Sequence, residues 1–154
     1  TPGLRLLEKY AVRMGGGQNH RFNLGDGILI KDNHIAALRA LGMSLKDIVA
    51  KAKQNAPRRL KIEVEVNTAQ EALDAVDGGA DIILLDNMSP DEMRHVVGLI
   101  PSHVKTEASG GITLANVSAA AKAGVNVISI GALTHSSKAL DISLELEPQT
   151  LKLL

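Results

Sequence analysis

The sequence of 154 residues contains no cysteine and no tryptophan, and its only aromatic side chains are Tyr10 and Phe22. The absence of cysteine excludes disulfides, a thiol nucleophile and thiolate metal sites. So few aromatic side chains leave no platform on which the bases of a nucleic acid would stack. The 17 basic residues are balanced by 17 acidic residues, so no overall charge attracts a nucleic acid or a membrane surface. We therefore expect neither of these partners, and any basic site has to be local.

The sequence also lacks a run of about 18 apolar residues, which a transmembrane helix requires, and it opens without the pattern of a signal peptide. Its composition, 45% hydrophobic and 22% charged, is typical of one globular domain. We expect a cytoplasmic location, with which the lack of cysteine is compatible. The chain begins Thr1-Pro2-Gly3 without an initiator methionine, and we expect it to start partway through a longer gene product.

Short apolar runs alternate with helical patterns along the chain. The runs, rich in Ile, Val or Leu, predict buried parallel strands at 27–31, 61–66, 81–86, 104–109 and 126–131. Ser44, and the pairs Thr68 with Glu71 and Ser89 with Glu92, predict helix starts between these strands. A further helix is predicted over 113–123, with Leu114, Val117 and Ala120 on one face. This alternation indicates an α/β fold with a parallel sheet.

The spacing of the strand ends favours a barrel. Lys31, Glu65, Asp86, Ser109 and Gly131 lie at the C-terminal ends of the five runs, and the intervals between them after the first are 21, 23 and 22 residues. A near-constant βα repeat fits a (β/α) TIM-like barrel better than a doubly wound sheet, which remains an alternative, and no G-x-G-x-x-G follows the first strand. Because a closed barrel needs about eight strands, we predict an incomplete barrel over 1–139. A strand-like tail is predicted over 140–154, where Leu140, Ile142, Leu144 and Leu146 alternate with polar residues.

Strand alternation places charged side chains inside this barrel. Lys61, Glu63 and Glu65 share one face, with the apolar residues between them on the face that meets the helices. A structural salt-bridge lattice is our interpretation of four interior residues, Lys61, Glu63, Lys105 and Glu107. Glu65 and Asp86 lie instead at strand tips, where active sites of such barrels form. Two carboxylates from adjacent strands predict an Mg²⁺ site.

Small and cationic residues at the same end suggest where anions bind. Ser109-Gly110-Gly111 and Gly131-Ala132 follow the last two strands, where such barrels commonly hold phosphate. His135, just beyond, is a candidate contact to the same phosphate. His20, Arg21 and Lys31 supply cations that suit a ligand with several carboxylates or phosphates.

Eight stretches of the sequence together resemble one known family. They are TPGLR, KYAV, GGGQNHR, ILIKDNHI, EVEV, ILLDN, EASGGI and ISIGALTHS. In this order they resemble quinolinate phosphoribosyltransferase, the carboxylating nicotinate-nucleotide pyrophosphorylase, from Thr1 to about Leu146. The resemblance implies a type II phosphoribosyltransferase barrel without its first strand or strands and without the family's N-terminal sandwich domain. It also implies a homodimer or higher homo-oligomer for the full-length protein.

The resemblance implies a reaction and assigns residues to it. Quinolinate and phosphoribosyl pyrophosphate would give nicotinate mononucleotide, pyrophosphate and CO₂ in NAD biosynthesis, with Mg²⁺ as cofactor. His20, Arg21 and Lys31 would bind quinolinate, and the residues with catalytic roles would be Lys31, Glu65 and Asp86, the two carboxylates also holding the metal. The phosphoribosyl donor would contact Lys31, Glu65, Asp86, Ser109, Gly110, Gly111, Ile130, Gly131, Ala132 and His135.

Three alternatives remain open at this point. Lys31 at a strand tip is also suited to Schiff-base chemistry, as in aldolases. A related enzyme would transfer the phosphoribosyl group to nicotinate without releasing CO₂, although the cations of His20, Arg21 and Lys31 favour the diacid. Finally, the isolated chain would be an inactive phosphate-binding fragment if the part that precedes it is needed for activity.

Overall fold

The structure is a computed structural model that describes residues 1–136 and 138–145. Within these ranges, an N-terminal helix precedes five strands, each of which is followed by one helix or, after the first strand, by two. The helices are α1 (Arg5–Met14), α2 (Asp32–Arg39), α3 (Leu45–Asn55), α4 (Ala69–Asp77), α5 (Pro90–Leu99), α6 (Val117–Lys122) and α7 (Ala132–His135). The strands are β1 (Ile28–Ile30), β2 (Ile62–Val66), β3 (Ile82–Asp86), β4 (Lys105–Ser109) and β5 (Val127–Ile128).

The five strands of the described residues form one parallel sheet in the order β1-β2-β3-β4-β5. Each predicted apolar run contains one of these strands. A doubly wound sheet reverses its strand order at a switch point, whereas a barrel adds each strand beside the preceding one. The observed order therefore confirms the incomplete-barrel prediction and removes the doubly wound alternative.

The hydrophobic core lies between the sheet and the helices, as the alternation along β2 predicts. Ile62, Val64 and Val66 are completely buried and belong to one core cluster with Val49 of α3 and Ala72 of α4. Burying each aliphatic side chain of this kind stabilises the fold by about 1.5–3 kcal/mol. The opposite face of β2, which carries Glu63 and Glu65, is thereby directed to the barrel interior.

Helix starts follow the predicted capping residues. The side chains of Ser44, Thr68 and Ser89 each accept a hydrogen bond from the backbone N–H three residues later, at 3.2–3.3 Å. At Ser89 the capping box is complete, because its own N–H donates to Oε2 of Glu92 at 2.8 Å. At Thr68 the return bond differs from the prediction, since Glu71 accepts the N–H of Asn67 instead.

The helix predicted from Thr113 begins later than expected. The Asn116 side chain accepts a hydrogen bond from the N–H of Thr113 at 2.7 Å and donates one to the carbonyl oxygen of Gly111 at 3.0 Å. These side-chain hydrogen bonds hold a turn where the first turn of the helix was predicted. Helix α6 starts at Val117. Leu114 is consequently 97% exposed, and its predicted place on the buried face with Ala120 was wrong.

The predicted C-terminal strand is not formed over 140–145. Leu140, Ile142 and Leu144 are exposed, and this segment has no strand neighbour among the described residues to hydrogen-bond with. Alternation alone does not create a strand when no partner supplies the hydrogen bonds. Residues 146–154, including Leu146, lie outside the described residues, and the division into a barrel at 1–139 and a tail stays a prediction.

Helix α1 differs from the other long helices in burying none of its residues. Leu6, Leu7, Tyr10 and Met14 are each at least 60% exposed. No helix in the described part of the chain has the length and hydrophobicity needed to cross a bilayer.

Candidate active site

The predicted catalytic residues lie at the carboxyl ends of the strands. Lys31 follows β1, and its Nζ lies 3.8 Å from Oε2 of Glu65 near the end of β2. Asp86 ends β3 and pairs in register with Ser109, which ends β4. Parallel strands direct these residues to one edge of the sheet, and the structure thus brings Lys31, Glu65, Asp86 and Ser109 together there.

Electrostatics at this edge favours a bound cation. Burial raises the pKa of Glu65, the Lys31 ammonium opposes that rise, and the nearby carboxylates of Asp86 and Asp32 add to it. Neighbouring carboxylates that repel each other at a partly open position form a suitable donor set for Mg²⁺, which takes one or two carboxylates together with phosphate oxygens. The residues present therefore fit the metal.

A strained turn links Asp86 to the glycine loop. Asn87 has a φ of +53°, an uncommon conformation for a residue other than glycine. Its side-chain amide donates to Oδ2 of Asp86 at 2.8 Å, and its backbone N–H donates to the carbonyl oxygen of Ser109 at 3.0 Å. These two bonds orient the Asp86 carboxylate and fix its place beside the end of β4. Asn87 was not singled out from the sequence, since its role depends on a backbone angle.

The predicted phosphate loops surround one cavity of about 400 Å³. It is lined by Ser109, Gly110, Gly111, Ile112, Thr113, Ser129, Gly131, Ala132 and His135. The backbone N–H groups of Gly110 and Gly111 donate no hydrogen bond within the described residues, which leaves them available to an anion. Of the residues predicted to contact the donor at these loops, Ile130 is the one that does not line the cavity. Its half-buried side chain packs against the core.

A second cavity, of about 300 Å³, gathers cationic side chains. His20 and Arg21 line it, together with Arg5 and Lys9 of α1 and with Phe22, Asn23 and Leu24. The Lys9 ammonium donates to the carbonyl oxygen of Arg21 and lies 5.9 Å from the centre of the Phe22 ring. Arg5 and Lys9 are four residues apart on one helix face, a spacing in the sequence that points to a shared site.

The barrel interior holds a histidine between two buried carboxylates. Nε2 of His20 lies 2.8 Å from Oε2 of Glu63 on β2 and 3.7 Å from Oε1 of Glu107 on β4. The hydrogen bond to Glu63 raises the pKa of His20, although partial burial and Arg21 oppose the rise. Burial raises the pKa of Glu107, while the Ser129 hydroxyl, which donates to it, works in the opposite direction.

The predicted salt-bridge lattice was therefore wrong in two of its four members. Lys61 is directed away from the interior and lies 3.3 Å from Oδ1 of Asp81 at the amino end of the sheet. Lys105 is exposed and forms no ion pair among the described residues. Both lysines lie at the starts of strands, where water solvates their charge and no ion pair in the interior is needed. Glu63 and Glu107 lie deeper in the barrel and face His20.

Comparison with known proteins identifies relatives of this chain. The family described as quinolinate phosphoribosyl transferase, C-terminal domain, matches residues 1–145. The probable carboxylating nicotinate-nucleotide pyrophosphorylase of Bacillus subtilis is 55% identical over 145 residues, which cover 94% of this chain and 49% of that protein. The carboxylating nicotinate-nucleotide pyrophosphorylase of Homo sapiens is 42% identical over 149 residues, covering 95% and 49%.

A solved structure of a similarly named protein has a similar fold. The nicotinate-nucleotide pyrophosphorylase from Francisella tularensis matches with a TM-score of 0.83 and 42% identity, covering 93% of this chain and 49% of that one. The chain thus spans about half the length of the curated relatives it matches. From the family match, the sequential parallel sheet and the residues gathered at its carboxyl edge, we conclude that this chain belongs to the quinolinate phosphoribosyl transferase family, whose C-terminal domain it matches over residues 1–145.

Proposed function

We propose that this chain carries the larger part of an active site that transfers a phosphoribosyl group from phosphoribosyl pyrophosphate to quinolinate. The products are nicotinate mononucleotide, pyrophosphate and CO₂. The observation that carries the proposal is the order of groups along the sheet edge. The carboxylates of Glu65 and Asp86 lie at the ends of β2 and β3, and the glycine-lined cavity lies at the ends of the next two strands. The cationic cavity is formed by α1 and the segment before β1.

Each ligand has a matching set of groups. Arg21, His20 and Lys31 provide positive charge for the two carboxylates of quinolinate, and a guanidinium binds a carboxylate through two parallel hydrogen bonds. The N–H groups of Gly110 and Gly111, which donate no hydrogen bond within the described residues, suit a phosphate of the donor. Glu65 and Asp86 would hold Mg²⁺, which when bound would neutralise negative charge on the pyrophosphate.

The reaction depends mainly on charged groups that stabilise the transition state, and we expect no residue dedicated to proton transfer. Departure of pyrophosphate leaves positive charge on the ribosyl carbon, and the ring nitrogen of quinolinate attacks it. The resulting pyridinium accepts the electron pair left when CO₂ departs, and that carbon then takes up a proton. Removing one well-placed charged donor from such a site costs about 2.7–4 kcal/mol in the barrier.

Oligomerisation and location belong to the proposal as well. We expect the full-length protein to form a homodimer or higher homo-oligomer in the cytoplasm. Size-exclusion chromatography with light scattering measures the first, and a fluorescent fusion of the full-length protein measures the second.

The test uses the 154-residue chain with quinolinate, phosphoribosyl pyrophosphate and Mg²⁺, following nicotinate mononucleotide and CO₂. Calorimetric titration of the donor is measured in parallel with and without Mg²⁺, because binding is informative even if the chain does not turn over. Asp86→Ala is expected to abolish turnover and the Mg²⁺-dependent part of donor binding. Asp91→Ala, which removes an exposed carboxylate paired with Arg94 on α5, is the control and should change neither.

Substituting nicotinate for quinolinate separates the proposal from the non-decarboxylating alternative. Product formed from nicotinate and not from quinolinate would favour that alternative. Donor binding without turnover would identify the chain as a binding fragment of the proposed enzyme. Absence of any Mg²⁺-dependent donor binding in the folded chain would contradict the proposed site.

A further inference from the structure

The group formed by His20, Glu63 and Glu107 is not explained by the proposed transfer chemistry. Glu63 is 5% exposed and Glu107 is 3% exposed, so both carboxylates are withdrawn from solvent in the barrel interior. Oε1 of Glu63 is buried and has no hydrogen-bond partner within the described residues. A buried carboxylate with an unsatisfied oxygen costs free energy unless positive charge lies beside it.

The imidazole of His20, when protonated, supplies that positive charge. Its Nε2 faces both carboxylates, and a hydrogen bond to Glu63 requires the hydrogen to be on Nε2. Its Nδ1 makes no hydrogen bond in the described part of the chain, and the 36% exposed side chain lines the cationic cavity. The other charged groups at that cavity, Arg5, Lys9 and Arg21, are cations, of which Arg21 opposes protonation of the ring.

We infer that Glu63, assisted by Glu107, is a positioning residue for His20. The two buried carboxylates fix the ring through Nε2 and keep it a cation, so that an Nδ1–H is presented to the cationic cavity and donates to a carboxylate of the bound ligand. That this ligand is the pyridine dicarboxylate rests on the proposed function. Glu63 has the larger effect because it makes the 2.8 Å contact, whereas Glu107 is farther away and also accepts from Ser129.

The orientation has a consequence for ligand binding. A neutral imidazole with its hydrogen on Nε2 would direct a lone pair into the cavity and would repel a carboxylate. A cationic imidazole offers a charge-assisted hydrogen bond instead, which is about twice as strong as a neutral one. Glu63 and Glu107 thus act on the ligand through His20 without touching it.

The experiment is histidine NMR on the complete 154-residue chain, labelled with ¹⁵N and ¹³C in histidine and kept in EDTA. EDTA is needed because ligand atoms of His20, Glu63 and Glu107 lie within 4.8 Å of one another and would also accommodate a metal ion. Titration from pH 4 to 10 gives the midpoint of His20, and the ¹⁵N shifts identify which ring nitrogen carries hydrogen. The exposed His95 and His103 provide internal reference signals.

Three variants are compared with the wild type. Glu63→Gln keeps the shape and removes the charge, and it should move the His20 midpoint to lower pH. Glu107→Gln should move it in the same direction by less, and the control Asp91→Asn should leave it in place. Quinolinate at pH 7 should shift the His20 signals of the wild type, and Glu63→Gln should weaken that binding roughly tenfold, the loss expected for one charged hydrogen bond.

The outcomes separate this inference from the proposed function. A His20 midpoint that does not respond to Glu63→Gln overturns the inference, and so does a neutral His20 ring of either tautomer in the wild type at pH 7. The second result needs no variant and holds even if Glu63→Gln fails to fold. If the midpoint responds to Glu63 but quinolinate leaves the wild-type signals unmoved, the positioning role stands and the proposed binding of quinolinate by this chain is wrong.

Discussion

Asn87 occupies the space that a side chain on Gly110 would need. A Cβ built on Gly110 would lie 2.5 Å from Cγ and 2.8 Å from the backbone nitrogen of Asn87, and Gly110 itself has a φ of +85°. Both facts require glycine at this position. The turn after β3 and the loop after β4 are therefore locked together, which ties the geometry of Asp86 to that of the phosphate cavity.

Gly110→Ala is the first variant to make. The clash and the left-handed backbone should lower the free energy of unfolding by about 1–3 kcal/mol, and donor binding should weaken because Asn87 and Asp86 are displaced together. Urea unfolding and calorimetric titration of phosphoribosyl pyrophosphate measure the two effects. Gly98→Ala is the matched control, because nothing lies within 4 Å of a Cβ there. Equal effects of both variants would contradict the proposed lock.

Arg21→Lys is expected to weaken quinolinate binding by roughly tenfold or more. Lysine keeps the charge but loses the planar pair of donors that a carboxylate accepts. Donor binding should stay unchanged, because the glycine-lined cavity does not include Arg21. Arg59→Lys, an exposed position, controls for the substitution itself. Titration of each ligand separately distinguishes a local loss of quinolinate affinity from a general loss of structure.

Asp81 gives a pH-dependent contribution to stability. Although burial opposes it, hydrogen bonds from the Ile62 N–H and from Lys53 hold the pKa of Asp81 below 3.8, its ordinary value. A lowered pKa means that the folded state binds protons less readily than the unfolded state. The contribution is therefore complete above pH 3.8 and is lost as the pH falls through the lower pKa of the folded state.

Asp81→Asn should accordingly lower the free energy of unfolding by about 2 kcal/mol at pH 7, since it removes charged hydrogen bonds. The difference from wild type should shrink as the pH falls below 3.8. Asp77→Asn, which affects an exposed pair with Lys46, should have a far smaller effect at either pH. Denaturant unfolding at pH 7 and in the acid range measures both. A difference for Asp81→Asn that stays constant with pH would contradict the assignment.

Leu114 and Leu85 test where the core ends. Leu85 is completely buried in β3, and Leu85→Ala should lower the free energy of unfolding by about 2–5 kcal/mol. Leu114→Ala should change it by no more than about 0.5 kcal/mol, because that side chain is exposed. Chemical denaturation of the two variants measures the contrast. A large loss in Leu114→Ala would place the start of α6 at Thr113 after all.

The strands, and the residues at the carboxyl edge of the sheet, were predictable because both depend on the pattern of apolar and polar residues over short stretches of sequence. Buried runs such as 81–86 predicted the strands, and the C-terminal ends of the runs predicted the positions of Glu65 and Asp86. The partners of charged side chains were not predictable in the same way. His20 and Glu63 are 43 residues apart, and Lys61 meets Asp81 only because β2 and β3 are neighbours. Such pairs follow from the sheet register, which a single sequence does not contain.

The strand order has a consequence for how the chain assembles. Among the described residues, each strand from β2 to β5 pairs with the strand that precedes it in the sequence, so each new βα unit can pack against the unit before it. Each parallel pairing joins residues 19 to 34 positions apart, and pairings of this separation form more slowly than the local contacts of a helix. The sheet can therefore be extended one βα unit at a time, in the order in which the strands occur along the sequence.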